Sequence, residues 1–154
     1  MKRRVAGLCV LLALVTPSCS YVQEYLGVSL ESGRIVLWYA ACRPDDTLTR
    51  IALARPVGEP PWSGYERVII WRVGTRHAQR TKFQVGVTPP GFEEEVPLER
   101  PLPTGGSLGV VIDTTAYRND QYFFSLGDLR EGLIYRPGST GYVTVREFYA
   151  DACD

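Results

Sequence analysis

The chain has 154 residues with 17 basic and 17 acidic side chains, one histidine and four cysteines. Its length allows one core and argues against two ordinary domains. Once Lys2, Arg3 and Arg4 are set aside as part of an export signal, 14 positive charges stand against 17 negative, a balance that argues against a general nucleic-acid binder.

The first nineteen residues follow the order of a secretory signal. Lys2, Arg3 and Arg4 form a charged start, Val5 to Val15 an apolar run, and Thr16-Pro17-Ser18 a small-residue approach to Cys19. The apolar run is about 11 residues long, whereas a membrane-spanning helix needs roughly 20. It therefore reads as the apolar part of a cleaved signal. Ser18-Cys19 resembles the cut site of a bacterial lipoprotein, although Thr16 stands where Leu is usual. The resemblance implies acylation of Cys19 and retention at the outer face of the cell membrane. Cleavage after Ser20, giving a freely secreted protein, is the alternative. The expected layout is a signal over 1–18, a short tether over 19–27 and one β-sandwich domain over 28–154.

Cysteine parity points the same way. Cys9 leaves with the signal under either cleavage, and with Cys19 acylated or removed, Cys42 and Cys153 remain. Two cysteines in an oxidising compartment are expected to pair. Closing a loop of that length would remove chain entropy worth roughly 4–5 kcal/mol on the loop-closure account. Two free thiols are the alternative. Neither cysteine has a Cys or His neighbour at zinc-ligand spacing, so no metal site is expected.

Along the exported part, short β-type runs recur between Gly and Pro, the spacing of an all-β sandwich or barrel. Ser20 to Gly27 is read as one helical turn stopped by Gly27. Val28 to Glu31 and Arg34 to Ala41 flank Ser32-Gly33, a tight hairpin turn. Ile35 to Tyr39 is apolar on both faces and is expected in a central position. Thr47 to Arg55 alternates Thr49, Ile51 and Leu53 against Arg50, Ala52 and Ala54. Pro56 to Gly64 is a loop, in which Trp62 caps the edge of the core. Glu66 to Val73 is strongly β, and Trp38 and Trp71 are assigned to the core. Gly74 to Thr81 reads as a polar connection.

Lys82 to Thr88 is predicted as a strand with Phe83, Val85 and Val87 inward. Phe92 to Leu98 reads as an edge strand whose Glu93, Glu94, Glu95 and Pro97 discourage pairing with another molecule. Ser107 to Asp113 is a core strand with Leu108, Val110 and Ile112 on one face. Gln121 to Leu126 and Gly132 to Tyr135 are further strands. Thr144 and Glu147 fit a capping box, which predicts a helix over Val145 to Ala152. Cys153 would then staple that helix to Cys42.

The signal, the strand leading to Cys42, Pro90-Gly91-Phe92 leading into Val96-Pro97-Leu98, and the stretch from Glu147-Phe148 to Ala152-Cys153 resemble the small, mostly uncharacterised lipoproteins and secreted proteins of actinobacteria. That resemblance implies an immunoglobulin-like sandwich and an envelope location. It carries no activity and no site residues. The expected fold is an immunoglobulin-like β-sandwich of about seven strands with a short C-terminal helix.

Catalytic candidates are few. His77 is the sole histidine, read as an exposed loop residue, and the chain has no Gly-x-Ser-x-Gly elbow. Asp45-Asp46 reads as turn-forming, and Glu93 to Glu95 as a solvated strand face. Asp113 ends a core strand beside Thr114 and Thr115 and is the acid best placed for a site. Arg67, Arg72, Arg76, Arg80 and Lys82 make the central region locally basic, a surface for anionic headgroups or wall polymers. No phosphate loop, dinucleotide fingerprint or calcium loop is present, so no cofactor is expected. The function expected from this reading is a non-enzymatic binding or accessory module, anchored in the membrane through Cys19 and facing an envelope protein or wall polymer. A secreted hydrolase using Asp113 or His77 is the alternative.

Overall fold

In a computed structural model, residues 25–41, 45–58, 67–78, 82–102, 105–116, 120–137 and 141–151 are described, without the side chains of residues 25, 75–78 and 120. They form ten strands, one short 3-10 turn and one helix. Strands β1 (Tyr25–Glu31), β2 (Arg34–Ala40), β5 (Lys82–Gln84), β9 (Ile134–Tyr135) and β10 (Tyr142–Val143) make one antiparallel sheet in the order β10-β9-β1-β2-β5. Strands β3 (Leu48–Pro56), β4 (Arg67–Ala78), β6 (Glu93–Val96), β7 (Ser107–Thr114) and β8 (Asp120–Ser125) make the other, in the order β6-β4-β3-β7-β8. Helix α1 (Val145–Asp151) follows.

The two sheets share one core. Leu26, Val28, Ile35, Leu37 and Tyr39 of the first sheet belong to the same buried cluster as Ile51, Leu53, Trp71, Val110 and Ile112 of the second. Trp38 lies on the opposite face of β2 and is also buried, because α1 covers that face. Phe148 of α1 packs with Val36, Trp38, Ala40 and Ile134 in a separate cluster. The double-sided apolar run Ile35 to Tyr39 thus has a core on each side, and β2 sits between β1 and β5 as expected of a central strand. Gly27 makes room for the helix. A Cβ there would run into Ile134 Cγ2 and come within 3.0 Å of Phe148 Cε2.

Local sequence signals hold at both ends of the sheet. Ser32 and Gly33 both have positive φ, 51° and 71°, the geometry of a turn that matches the twist of a two-residue hairpin. Their amides donate to the carboxylate of Glu131. At α1, the Thr144 amide donates to Glu147 Oε2 at 2.7 Å and the Glu147 amide donates to Thr144 Oγ1 at 3.2 Å. This is the reciprocal capping box.

Several expectations are corrected. There are ten strands among the described residues rather than about seven; β9 falls within the strand expected over Gly132 to Tyr135, and β10 is a two-residue strand that pairs with it. Tyr25 to Gly27 belong to β1 rather than to a helical turn or tether, because Leu26 enters the shared core and Gly27 pairs with Trp38. Strand β4 continues to Ala78, through what read as a connection from Gly74, because Leu48 and Arg50 of β3 pair with Ala78 and Gly74 across a bulge. Strand β5 stops at Gln84, and Val87, expected inward, is 44% exposed. Gly86 takes φ +79° there and turns the chain out of the sheet.

Candidate binding site

The outer face of the second sheet gathers the charged side chains that the sequence scatters. Strand β3 sends Ile51 and Leu53 into the shared core and leaves Ala52 and Ala54 on the other face, where they cluster with Val111 and Ile69. Register does the rest. Ala52 pairs with Arg72 on one side and Val111 on the other, and Arg50 pairs with Asp113. Short side chains in the middle and long ones around them leave a hollow of about 260 Å³. Its lining is Arg50, Ala52, Arg67, Ile69, Arg72, Val111 and Asp113.

An ion-pair ladder crosses this hollow. Arg50 Nε donates to Glu95 at 2.9 Å (Oε1) and 3.2 Å (Oε2). Arg50 Nη1 lies 3.6 Å from Asp113 Oδ2, and Arg72 Nε lies 3.4 Å from Glu95 Oε2. Glu95 reaches this position because residue 74 is glycine; any Cβ there would collide with its carboxylate. Arg67 Nη1 donates to Gln121 Oε1 at 2.7 Å. The hydrogen bond it donates to Glu95, then the charge of Glu95, and less strongly Asp113, hold the Arg50 guanidinium above its usual pKa. Exposed ion pairs of this kind stabilise a fold by only about 0–1 kcal/mol. The ion pairs hold the Arg50 and Arg72 guanidiniums, and Gln121 holds that of Arg67, around an apolar floor. Two carboxylates against three guanidiniums leave a local surplus of positive charge, a geometry suited to an anionic group.

The candidates from the sequence fare differently. Asp113 is in the hollow, tied to Arg50. Asp46 is buried and shapes a turn, accepting from the Thr115 hydroxyl at 3.0 Å and the Ala116 amide at 3.3 Å. Glu93 to Glu95 lie on the edge strand β6 as expected, but Glu95 is bound into the ladder rather than merely solvated. His77 has its backbone in β4 rather than in a loop, and its side chain lies outside the described residues. Cys19, Cys42, Cys153, Trp62 and Arg80 also lie outside them. Of the expected basic region, Arg67 and Arg72 reach the hollow, while Lys82 is on the other sheet, bonded to Glu31 at 2.6 Å and 5.0 Å from the Trp38 ring. Among the described residues no group of three His, Cys, Asp or Glu is placed to hold a metal ion, and no helix is long and apolar enough to cross a membrane.

The residue that sequence reasoning missed is Arg50. It read as one outward position in an alternating strand. Its place opposite Asp113 and beside Glu95 depends on the pairing of β3 with β7 and of β4 with β6, for which the chain carries no local signal. Against known proteins, the chain matches no family model, no curated protein and no solved structure.

Proposed function

We propose that this protein is an extracytoplasmic envelope module, anchored through an acylated Cys19, that binds an anionic wall polymer on the outer face of its second sheet and performs no catalysis there. The observation that carries this reading is the hollow around Ala52, Ile69 and Val111. It is ringed by Arg50, Arg67 and Arg72, with Asp113 in its lining paired with Arg50 and Glu95 bridging Arg50 and Arg72. The anchor rests on the order of residues from Lys2 to Cys19, and the immunoglobulin-like outline on two antiparallel sheets facing one core.

The test has two arms. Intact-mass measurement of protein from the cell envelope is expected to show acyl chains on a chain beginning at Cys19; an unmodified chain beginning at Tyr21 would mean free secretion. For binding, the probes are polygalacturonate, a carboxylated glycan, and neutral dextran. Retention of polygalacturonate alone, weakened by salt and lost in the Arg50→Gln, Arg67→Gln, Arg72→Gln variant, is the expected result. Equal retention of both polymers would overturn the binding reading. Release of new reducing ends that disappears with Asp113→Ala would establish the hydrolase instead.

A further inference from the structure

A second hollow shares no lining residue with the first and lies at the seam between the sheets. It is a groove of about 870 Å³ between the Ser32–Gly33 turn, the end of β5 and the segment Leu98–Leu102. Its apolar walls include Val85, Val87, Leu98 and Leu102, and Arg34 and Arg100 line it as exposed cations. Leu98 can lie against this wall because residue 86 is glycine; a Cβ on Gly86 would stand 2.6 Å from Leu98 Cδ2. Val87 lines the groove and leaves 44% of its surface in water. No carboxylate lines the groove, and neither Arg34 nor Arg100 has an acid partner among the described residues.

We infer that this groove binds a single-chain anionic amphiphile, with the hydrocarbon chain along Val85, Val87, Leu98 and Leu102 and a carboxylate or phosphate head held by Arg34 and Arg100. The volume lies in the range of small-molecule sites, about 300–1,000 Å³. Apolar walls with two cations that have no acid partner among the described residues call for a ligand with an apolar body and one anionic end. An acidic peptide fits less well. It would gain its affinity by adding a strand to a sheet edge, and β5, the edge strand here, is only three residues long. Guanidinium accepts either head chemistry through paired N–H donors, so a free fatty acid and a monoacyl phosphate share the site. The site is separate from the hollow at Arg50, and the two readings stand or fall independently.

The experiment titrates the full, delipidated chain with dodecanoate, dodecyl phosphate, 1-dodecanol and hexaglutamate, read by native mass spectrometry and calorimetry. One equivalent of dodecanoate or dodecyl phosphate is expected to bind, and the tighter of the two identifies the head. The uncharged 1-dodecanol should bind about tenfold more weakly or worse, since a hydrogen bond to a charged group carries about that factor. The Arg34→Gln, Arg100→Gln variant should weaken both anions by a similar factor and leave 1-dodecanol unchanged. Val87→Asp, at an exposed position, should weaken all three chains without lowering the melting temperature. Arg50→Gln, which acts on the other hollow, should leave the affinity for dodecanoate, dodecyl phosphate and 1-dodecanol unchanged. Equal affinity for dodecanoate and 1-dodecanol, indifference to both groove variants, preference for hexaglutamate, or loss of binding in Arg50→Gln would each overturn the inference.

Discussion

Trp38 and Tyr149 meet edge-on, their ring centroids 6.2 Å apart at an interplanar angle of 69°. Each stands four residues before a cysteine, Cys42 after β2 and Cys153 after α1. The contact joins β2 to α1. Phe148 adds a second edge contact to Trp38, at 6.4 Å. We expect Cys42 and Cys153 to be bridged in protein purified without reductant, and their replacement by Ser to cost about 2–5 kcal/mol in denaturant unfolding. Thiol titration showing two free cysteines under those conditions would sink the pairing.

The helix is held chiefly by one side chain. Phe148 is fully buried among Trp38, Val36 and Ile134. Phe148→Ala should lower stability by about 3–5 kcal/mol. The matching change on the opposite wall is Gly27→Ala, which inserts a methyl group into the space occupied by Ile134 and Phe148. That overpacking should cost about 1–3 kcal/mol. Both are read from urea unfolding, and exchange protection of the α1 amides should fall in both. An unchanged midpoint for Gly27→Ala would show that α1 does not rest on β1 as described.

The capping box gives the helix a pH dependence. The Thr144 amide, and then the Thr144 hydroxyl, hold the Glu147 carboxyl below its ordinary pKa. A carboxyl with a depressed folded-state pKa stabilises the fold above its unfolded pKa and loses that contribution as the pH falls through the folded value. The helix signal should therefore weaken on the acid side of the carboxylate range, and Glu147→Gln should flatten that part of the profile. Thr144→Ala, which removes the N-cap hydroxyl, should cost about 0.5–2 kcal/mol at neutral pH. A profile identical in Glu147→Gln and the parent would contradict the assignment.

In the Arg50 hollow, Glu95 competes with any anion for Arg50 and Arg72. Glu95→Gln removes the acid partner of Arg72, leaves Arg50 with Asp113 alone, and adds one unit of local positive charge. It should tighten polygalacturonate binding and steepen its salt dependence, while changing stability by no more than about 1 kcal/mol. Arg67→Gln should do the opposite to binding. Weaker binding in Glu95→Gln would mean that the carboxylate contacts the ligand directly.

Local chemistry accounts for what was readable from the chain alone. The Ser32-Gly33 turn, the Thr144–Glu147 cap and the alternation of Leu108, Val110 and Ile112 each depend on residues a few positions apart, and each is where the sequence places it. The double-sided run Ile35 to Tyr39 likewise announces a strand covered on both faces, although not that α1 supplies the second cover. The proposed export signal is a local reading of the same kind, resting on the order of charge, apolar run and small residues from Lys2 to Cys19.

Tertiary structure decided the rest, and register is the physical reason. A strand's side chains alternate with a period of two, so a one-residue shift in pairing would turn Arg50 and Ala52 into the core and Ile51 and Leu53 out of it. Only the observed pairing of β3 with β4 and β7 sets Arg50 beside Asp113 and Ala52 between Arg72 and Val111. Strand β4 runs on past Gly74 because β3 offers it partners, while β5 ends early because Gly86 leaves the sheet. The groove at Arg34 and Arg100 joins residues from the β1–β2 turn, the end of β5 and the segment after β6, which meet only when two sheets close on one core. Composition and periodicity settled that this chain builds β-sheets; which charges share a face was settled by the hydrogen-bond register between strands distant in sequence.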